Sequence, residues 1–188
     1  MKTLTQMKLW LIGAALVVAG LAGQAQAATS VPLDIHVSIN ATKSLTAATT
    51  YYNYGALNVS VSSVSSALAI TNNSGGLVET YTMTAGNAIS DSGGVAWTLA
   101  ASAGSDQYAL AGQFSTAQPT NVDGSWGSDD LTSSPVACSA TQFGNGTAGE
   151  SGAAVAPSAA RNLWFRLKTP TSVNDAGSHT ATITVAVQ

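Results

Sequence analysis

Leu163-Trp164-Phe165-Arg166-Leu167-Lys168 and Thr180-Ala181-Thr182-Ile183-Thr184-Val185-Ala186-Val187 decide how this chain is read. In the first stretch Leu163, Phe165 and Leu167 alternate with Trp164, Arg166 and Lys168. In the second Ala181, Ile183, Val185 and Val187 alternate with Thr180, Thr182, Thr184 and Ala186. Between them lies Thr169-Pro170-Thr171-Ser172-Val173-Asn174-Asp175-Ala176-Gly177, rich in turn formers. A period of two in β-branched and aromatic residues predicts two half-buried strands with a turn-rich link.

The same alternation recurs toward the N-terminus. Tyr108, Leu110 and Phe114 form one set, with Gly112 between them, and Val95, Trp97 and Leu99 another. Residues 77–84 read as a strand with Tyr81 and Met83 inward. Glu79 shares their parity, which puts it near a sheet end or at a bulge. Asn72-Asn73-Ser74-Gly75-Gly76 is a turn, because Asn and Gly tolerate positive φ. Residues 67–71 before it carry Leu68 and Ile70 on one face, and residues 52–61 continue the pattern with Tyr52, Tyr54, Leu57, Val59 and Val61. Residues 41–50 are a polar connector. In residues 31–39, Val31, Leu33, Ile35, Val37 and Ile39 alternate with Pro32, Asp34, His36 and Ser38. Pro32 has no N–H for a ladder, so that strand starts there or lies at a sheet edge.

Residues 115–160 break the pattern. Gly, Ser, Asp, Asn and Pro dominate, yet so long a structureless loop is unusual in a compact domain, so short strands or turns are expected around residues 136–143. Eight or so short strands with turn chemistry between them predict an all-β, antiparallel sandwich over residues 28–188, with a long irregular insertion near 115–160. A transmembrane barrel would want aromatic girdles. Aromatic residues are only 6% of the chain, and it ends on Gln188.

Residues 1–27 read as a secretory signal peptide. Lys2 and Lys8 precede an uncharged apolar run over residues 9–21, and Ala25-Gln26-Ala27 is a small-x-small cleavage signal. The run is about thirteen residues, short of the roughly 20 that span a bilayer, so no stable transmembrane anchor is expected. The expected location is secreted: extracellular, cell surface or periplasm. Without residues 1–27, Lys43, Arg161, Arg166 and Lys168 face nine acids, a net charge of −5. Nucleic acid is a poor partner for such a surface. Charged residues are 8% of the chain, well below the usual quarter, with hydroxyl, amide and small residues in their place. Cys138 is the only cysteine. It reads as a small buried apolar residue, or as a partner in an intermolecular disulfide.

Several motifs bear on chemistry. Gly144-Asn145-Gly146-Thr147-Ala148-Gly149 matches a dinucleotide fingerprint by letters, but no helical pattern follows to meet a pyrophosphate. Asn145-Gly146 reads better as a hairpin turn. Gly149-Glu150-Ser151-Gly152-Ala153 misses the last Gly of a nucleophile elbow. His36 and His179 are the only candidate bases, and both read as solvated strand residues. Asp123, Asp129 and Asp130 put three carboxylates on one flexible stretch, where a structural calcium is the sharper reading and a solvated turn the bland one. Trp126 and Trp164 are the candidate ligand-binding residues: exposed, they would make a platform for sugar rings. The competing reading buries Trp164 under an adjoining loop with Arg166 at its edge. Trp97, in phase with Val95 and Leu99, reads as core.

Both ends of residues 28–188 resemble bacterial immunoglobulin-like modules. The resemblance rests on Tyr52-x-Tyr54-Gly55-x-Leu57, Ile70-Thr71-Asn72-x-Ser74-Gly75 and Glu79-Thr80-Tyr81-x-Met83 for the opening strands. It rests on Leu163-x-Phe165-x-Leu167-x-x-Pro170 and Gly177-x-x-x-Ala181-x-Ile183-x-Val185 for the last two. It implies a fold and no chemistry, since such modules serve as spacers, surface-layer parts, adhesin parts and filament subunits. The expectation is a non-catalytic secreted structural protein, a surface-layer, matrix or filament subunit. Its partners would be copies of itself or other surface proteins. The alternative is a glycan-binding or adhesive module using Trp126 and Trp164.

Overall fold

The computed structural model describes residues 37–38 and 41–188. The expected signal peptide lies outside the described residues, and so does the expected strand over 31–39, apart from Val37 and Ser38, which are in no strand.

The described chain is built from strands, with one 3₁₀ turn and no α-helix. In order they are β1 (Leu45–Ala47), β2 (Ser62–Val64), β3 (Leu68–Asn72), β4 (Tyr81–Ser90), β5 (Thr98–Leu99), β6 (Gln107–Phe114), β7 (Val136–Ala137), β8 (Ala160–Lys168) and β9 (His179–Val187). A six-stranded sheet runs β1-β3-β8-β6-β5, with β2 also on β8; a three-stranded sheet runs β7-β4-β9. All pairs are antiparallel except β5 with β6.

Side chains from both sheets meet in one cluster. Leu68, Ile70, Tyr108, Leu110, Phe114, Leu163 and Phe165 of the first sheet pack with Tyr81, Met83, Ala85 and Ala88 of the second. Period-two alternation dictates this, because successive side chains of a strand point to opposite faces. Tyr81 and Met83 are fully buried, as the pattern of residues 77–84 predicts. The Tyr81 and Phe114 rings lie 5.9 Å apart across the core. Gly112 faces the same space: a Cβ there would sit 3.2 Å from both Met83 Cε and Phe165 Cε1. That close approach explains a glycine inside a strand.

The larger sheet is curled. β2 and β3 lie end to end along one edge of β8, and the chain between them bends at fully buried Ser65. Its N–H donates to Phe165 O at 2.8 Å, and its Oγ accepts the Phe165 N–H at 2.9 Å, so a hydroxyl continues the ladder through the bend. At the other side, Trp97 bridges to Ala88 of the second sheet while β5, next along the chain, joins the first.

Four elements depart from the sequence reading. Residues 52–61 form no strand. Gly55 at φ 71° and Ser60 at φ 60° turn the chain there, and Tyr54 donates to Phe165 O at 3.1 Å instead of extending a ladder. β4 starts at Tyr81, not at residue 77. Glu79 is buried in an isolated bridge to Val155, with Oε1 accepting the Ser44 N–H at 2.7 Å. Trp97 is only half-buried, at the core's margin. Asn145-Gly146 forms a turn, with Thr147 N–H on Asn145 Oδ1 at 2.9 Å, but it joins no pair of strands. The short strand expected within residues 136–143 is present as β7.

Candidate functional site

The outer face of the larger sheet gathers most of the residues singled out by sequence. With Leu163 and Phe165 inward, Trp164, Arg166 and Lys168 point outward. They stand opposite Gln113, Ala111 and Ala109 of β6. Small alanines opposite long cations leave room, and residues 115–131 fold into it. Asp129 O accepts from the Gly112 N–H at 3.0 Å, and the Leu131 N–H donates to Leu110 O at 2.8 Å, tying the segment to the edge of β6 beyond its pairing with β5.

Trp126 is not an exposed platform. It is 3% exposed, closed over this face, with Nε1 donating to Thr120 O at 2.9 Å. Trp164 is half-buried, and its Nε1 donates to Ser115 O at 2.9 Å. Each indole N–H is spent on the loop, and no aromatic pair joins the two rings among the described residues. Their order in sequence could not reveal this, because whether an outward strand residue is wet depends on what crosses it.

Asp129 parts from the other two aspartates: Asp123 and Asp130 line one cavity, whereas Asp129 is buried on Gln113 and Phe143. Asp123 is exposed, and its Oδ1 takes Arg166 Nη1 at 2.5 Å and Lys168 Nζ at 2.6 Å. Hydrogen bonds from Lys168 and Arg166 hold its carboxyl below the usual carboxylate range. Asp129 takes different partners and is 1% exposed. It accepts Gln113 Nε2 at 2.6 Å and the Phe143 N–H at 2.5 Å. Burial pushes its pKa up to about 6 against the lowering effect of those donors. Asp130 is also raised, by burial first, with Lys168 opposing. Among the described residues no three His, Cys, Asp or Glu side chains converge as metal ligands.

Two small cavities flank this face. One of about 80 Å³ is lined by Ala109, Ala111, Asp123, Trp126, Arg166 and Lys168, among others. Asp123 pairs there with Arg166 and Lys168, and Asp130 lines the same cavity. The other, of about 180 Å³, lies among Ser115, Thr116, Glu150, Arg161 and Asn162. Glu150 there accepts the Thr116 N–H at 3.0 Å and Asn145 Nδ2 at 2.7 Å, and the Thr116 bond lowers its pKa. Both are well under the roughly 300 Å³ at which small-molecule pockets begin.

The fold does bring a serine, an aspartate and a histidine together, in an order that spoils the chemistry. Ser90 Oγ donates to Asp175 Oδ2 at 2.5 Å, and His179 Nε2 lies 3.9 Å from the same oxygen. A hydrolytic triad needs the histidine between the other two. Here both ring nitrogens face backbone carbonyls instead, Gly177 O and Val95 O, each at 2.8 Å. The side chain is 2% exposed and stacks on Trp97 at 3.9 Å between centroids. His179 is thus a structural latch and not the solvated residue its sequence suggests. His36 lies outside the described residues. Ser151 is buried in a loop that opens no helix, with Oγ accepting the Ala153 N–H at 3.3 Å. Cys138 is a free, buried thiol, pushed up to about 12 by burial, and a Cβ on Gly152 would come within 2.9 Å of its sulfur.

No helix among the described residues is long and apolar enough to cross a membrane. The chain matches no family of known proteins, no curated protein and no solved structure.

Proposed function

We propose that this chain is a non-catalytic, secreted structural protein, a surface-layer, matrix or filament subunit built on an immunoglobulin-like sandwich, and that it assembles by β-strand addition. The observation that carries the reading is β9. It is nine residues long, pairs with β4 on one edge, and has no partner on the other among the described residues. Main-chain groups on such an edge supply affinity to an added strand. The signal-like residues 1–27 and the regular apolar alternation of residues 31–39 support export and a donor segment. The glycan-binding alternative is weakened by the burial of Trp126, which leaves it only Trp164.

Light scattering after size-exclusion chromatography, with negative-stain imaging, tests the reading on the chain from Ala28. Ordered oligomers or filaments are the expected outcome, with loss of assembly when residues 29–39 are removed. A monomer at every concentration sinks the proposal.

A further inference from the structure

Natural proteins blunt sheet edges with short strands, charges, prolines or bulges. Among the described residues, four of the five strands with a single neighbour obey: β1 and β2 have three residues each, β5 and β7 two each. β9 has none of these devices. It holds no Asp, Glu, Lys or Arg, and no proline. The one irregularity in its pairing is the extra residue on β4 between Ala85 and Ala88.

The ladder shows which groups are open. The Gln188 N–H donates to Thr80 O at 2.9 Å. In an antiparallel pair the N–H and C=O of one residue share a side, and sides alternate along the strand. Thr184 and Ala186 therefore turn toward β4, and Ile183, Val185 and Val187 present their main-chain groups outward. Their side chains tell the same story. Those of Ala181, Ile183, Val185 and Val187 face the core but are only half-buried, while Tyr81, Met83 and Ala85 across the ladder are 0–3% exposed. Among the described residues the core is thus incomplete along this edge, in backbone and in side chains.

Resting on the reading above, we infer that the outer edge of β9 is the acceptor site, and that its occupant is the segment of residues 31–39 from a second copy of the chain. The segment has nine residues, the length of β9. Its five apolar side chains at every second position match a half-covered core that lacks one more strand. Its polar row of Asp34, His36 and Ser38 would then continue the exposed row of Thr180, Thr182 and Thr184. Pro32, near one end, costs the ladder one bond.

Directly opposed residues of an antiparallel ladder have Cα atoms about 4.5–5.5 Å apart, within the roughly 4.4–6.8 Å that a disulfide bridges. Two forms of the chain from Ala28 are made, one with His36→Cys and one with Thr180→Cys, Thr182→Cys or Thr184→Cys. They are mixed and mildly oxidised. Cys138, buried and with its thiol pushed up to about 12, stays out of the exchange. Because the two cysteines sit on different chains, any such disulfide joins two copies. The expected result is a heterodimer at one β9 position about tenfold above that with Thr84→Cys on the middle strand, since pairing raises the effective thiol concentration. If the chains assemble but no β9 position cross-links, the acceptor lies elsewhere and this inference falls while the function stands. A third form carries both cysteines on one chain; if the bond forms only there, the edge belongs to the same molecule's segment, and the inference falls. If the protein neither assembles nor cross-links, both fall.

Discussion

β8 and β9 are each nine residues long and each alternate apolar with polar side chains, yet their surroundings differ. β8 has β2 and β3 along one edge and β6 along the other, and residues 115–131 cover its outer face. Its inward Leu163 and Phe165 are 1% and 6% exposed. Among the described residues β9 has one neighbour, and its inward residues stay half-buried. Similar alternation therefore yields a core strand or a margin strand according to how many strands flank it. Hydrophobic stabilisation follows the area removed from water, not the residue type alone.

The comparison is sharpest at the inward side chains. Phe165→Ala is expected to cost about 3–5 kcal/mol, because the removed ring leaves a cavity against Met83 and Gly112. Urea unfolding curves measure it, and a cost near 1 kcal/mol would mean β8 is no more central than β9.

The cover over β8 is tested through Asp129, which holds residues 129–131 and Phe143 in place. Its folded pKa of about 6 lies above the ordinary 3.8. The folded state thus favours the protonated acid. The stability it contributes is complete below about pH 4 and is lost as pH rises through about 6, a difference of roughly 2–3 kcal/mol. Unfolding measured from pH 4 to 7 is expected to show that decline, and Asp129→Asn to flatten it. An unchanged slope in the variant would assign the decline to other groups.

The smallest effect is expected on β9. Ile183→Ala in monomeric protein should cost about 1–2 kcal/mol, below the usual range for a buried isoleucine, because the side chain is already partly in water. A full-sized loss in the monomer would show that the edge is covered there, and the contrast with β8 would disappear.

Much of this was legible in the sequence. Alternation placed β3, β6, β8 and β9, the inward Tyr81 and Met83, and the turn after Asn72, because a strand's period of two is a local property. It misled at residues 52–61, where positive φ at Gly55 and Ser60 turned the chain despite an apolar rhythm. Site residues fared worse. Trp126 and Asp129 sit in a stretch with no periodicity, so nothing local said that one would close over a sheet and the other would be buried beneath it.

By itself, then, the sequence determined the strand-rich class, the core parity of the long strands, the acidic balance and the lone thiol. Those follow from side-chain chemistry and backbone period. Only the tertiary structure decided which indoles are dry, that Asp123 and Asp129 point to different partners, and that His179 is clamped between two carbonyls against Trp97. It alone left β9 with a single neighbour among the described residues. Each of these depends on segments far apart in the chain meeting in space, and burial and charge pairing are set by that meeting.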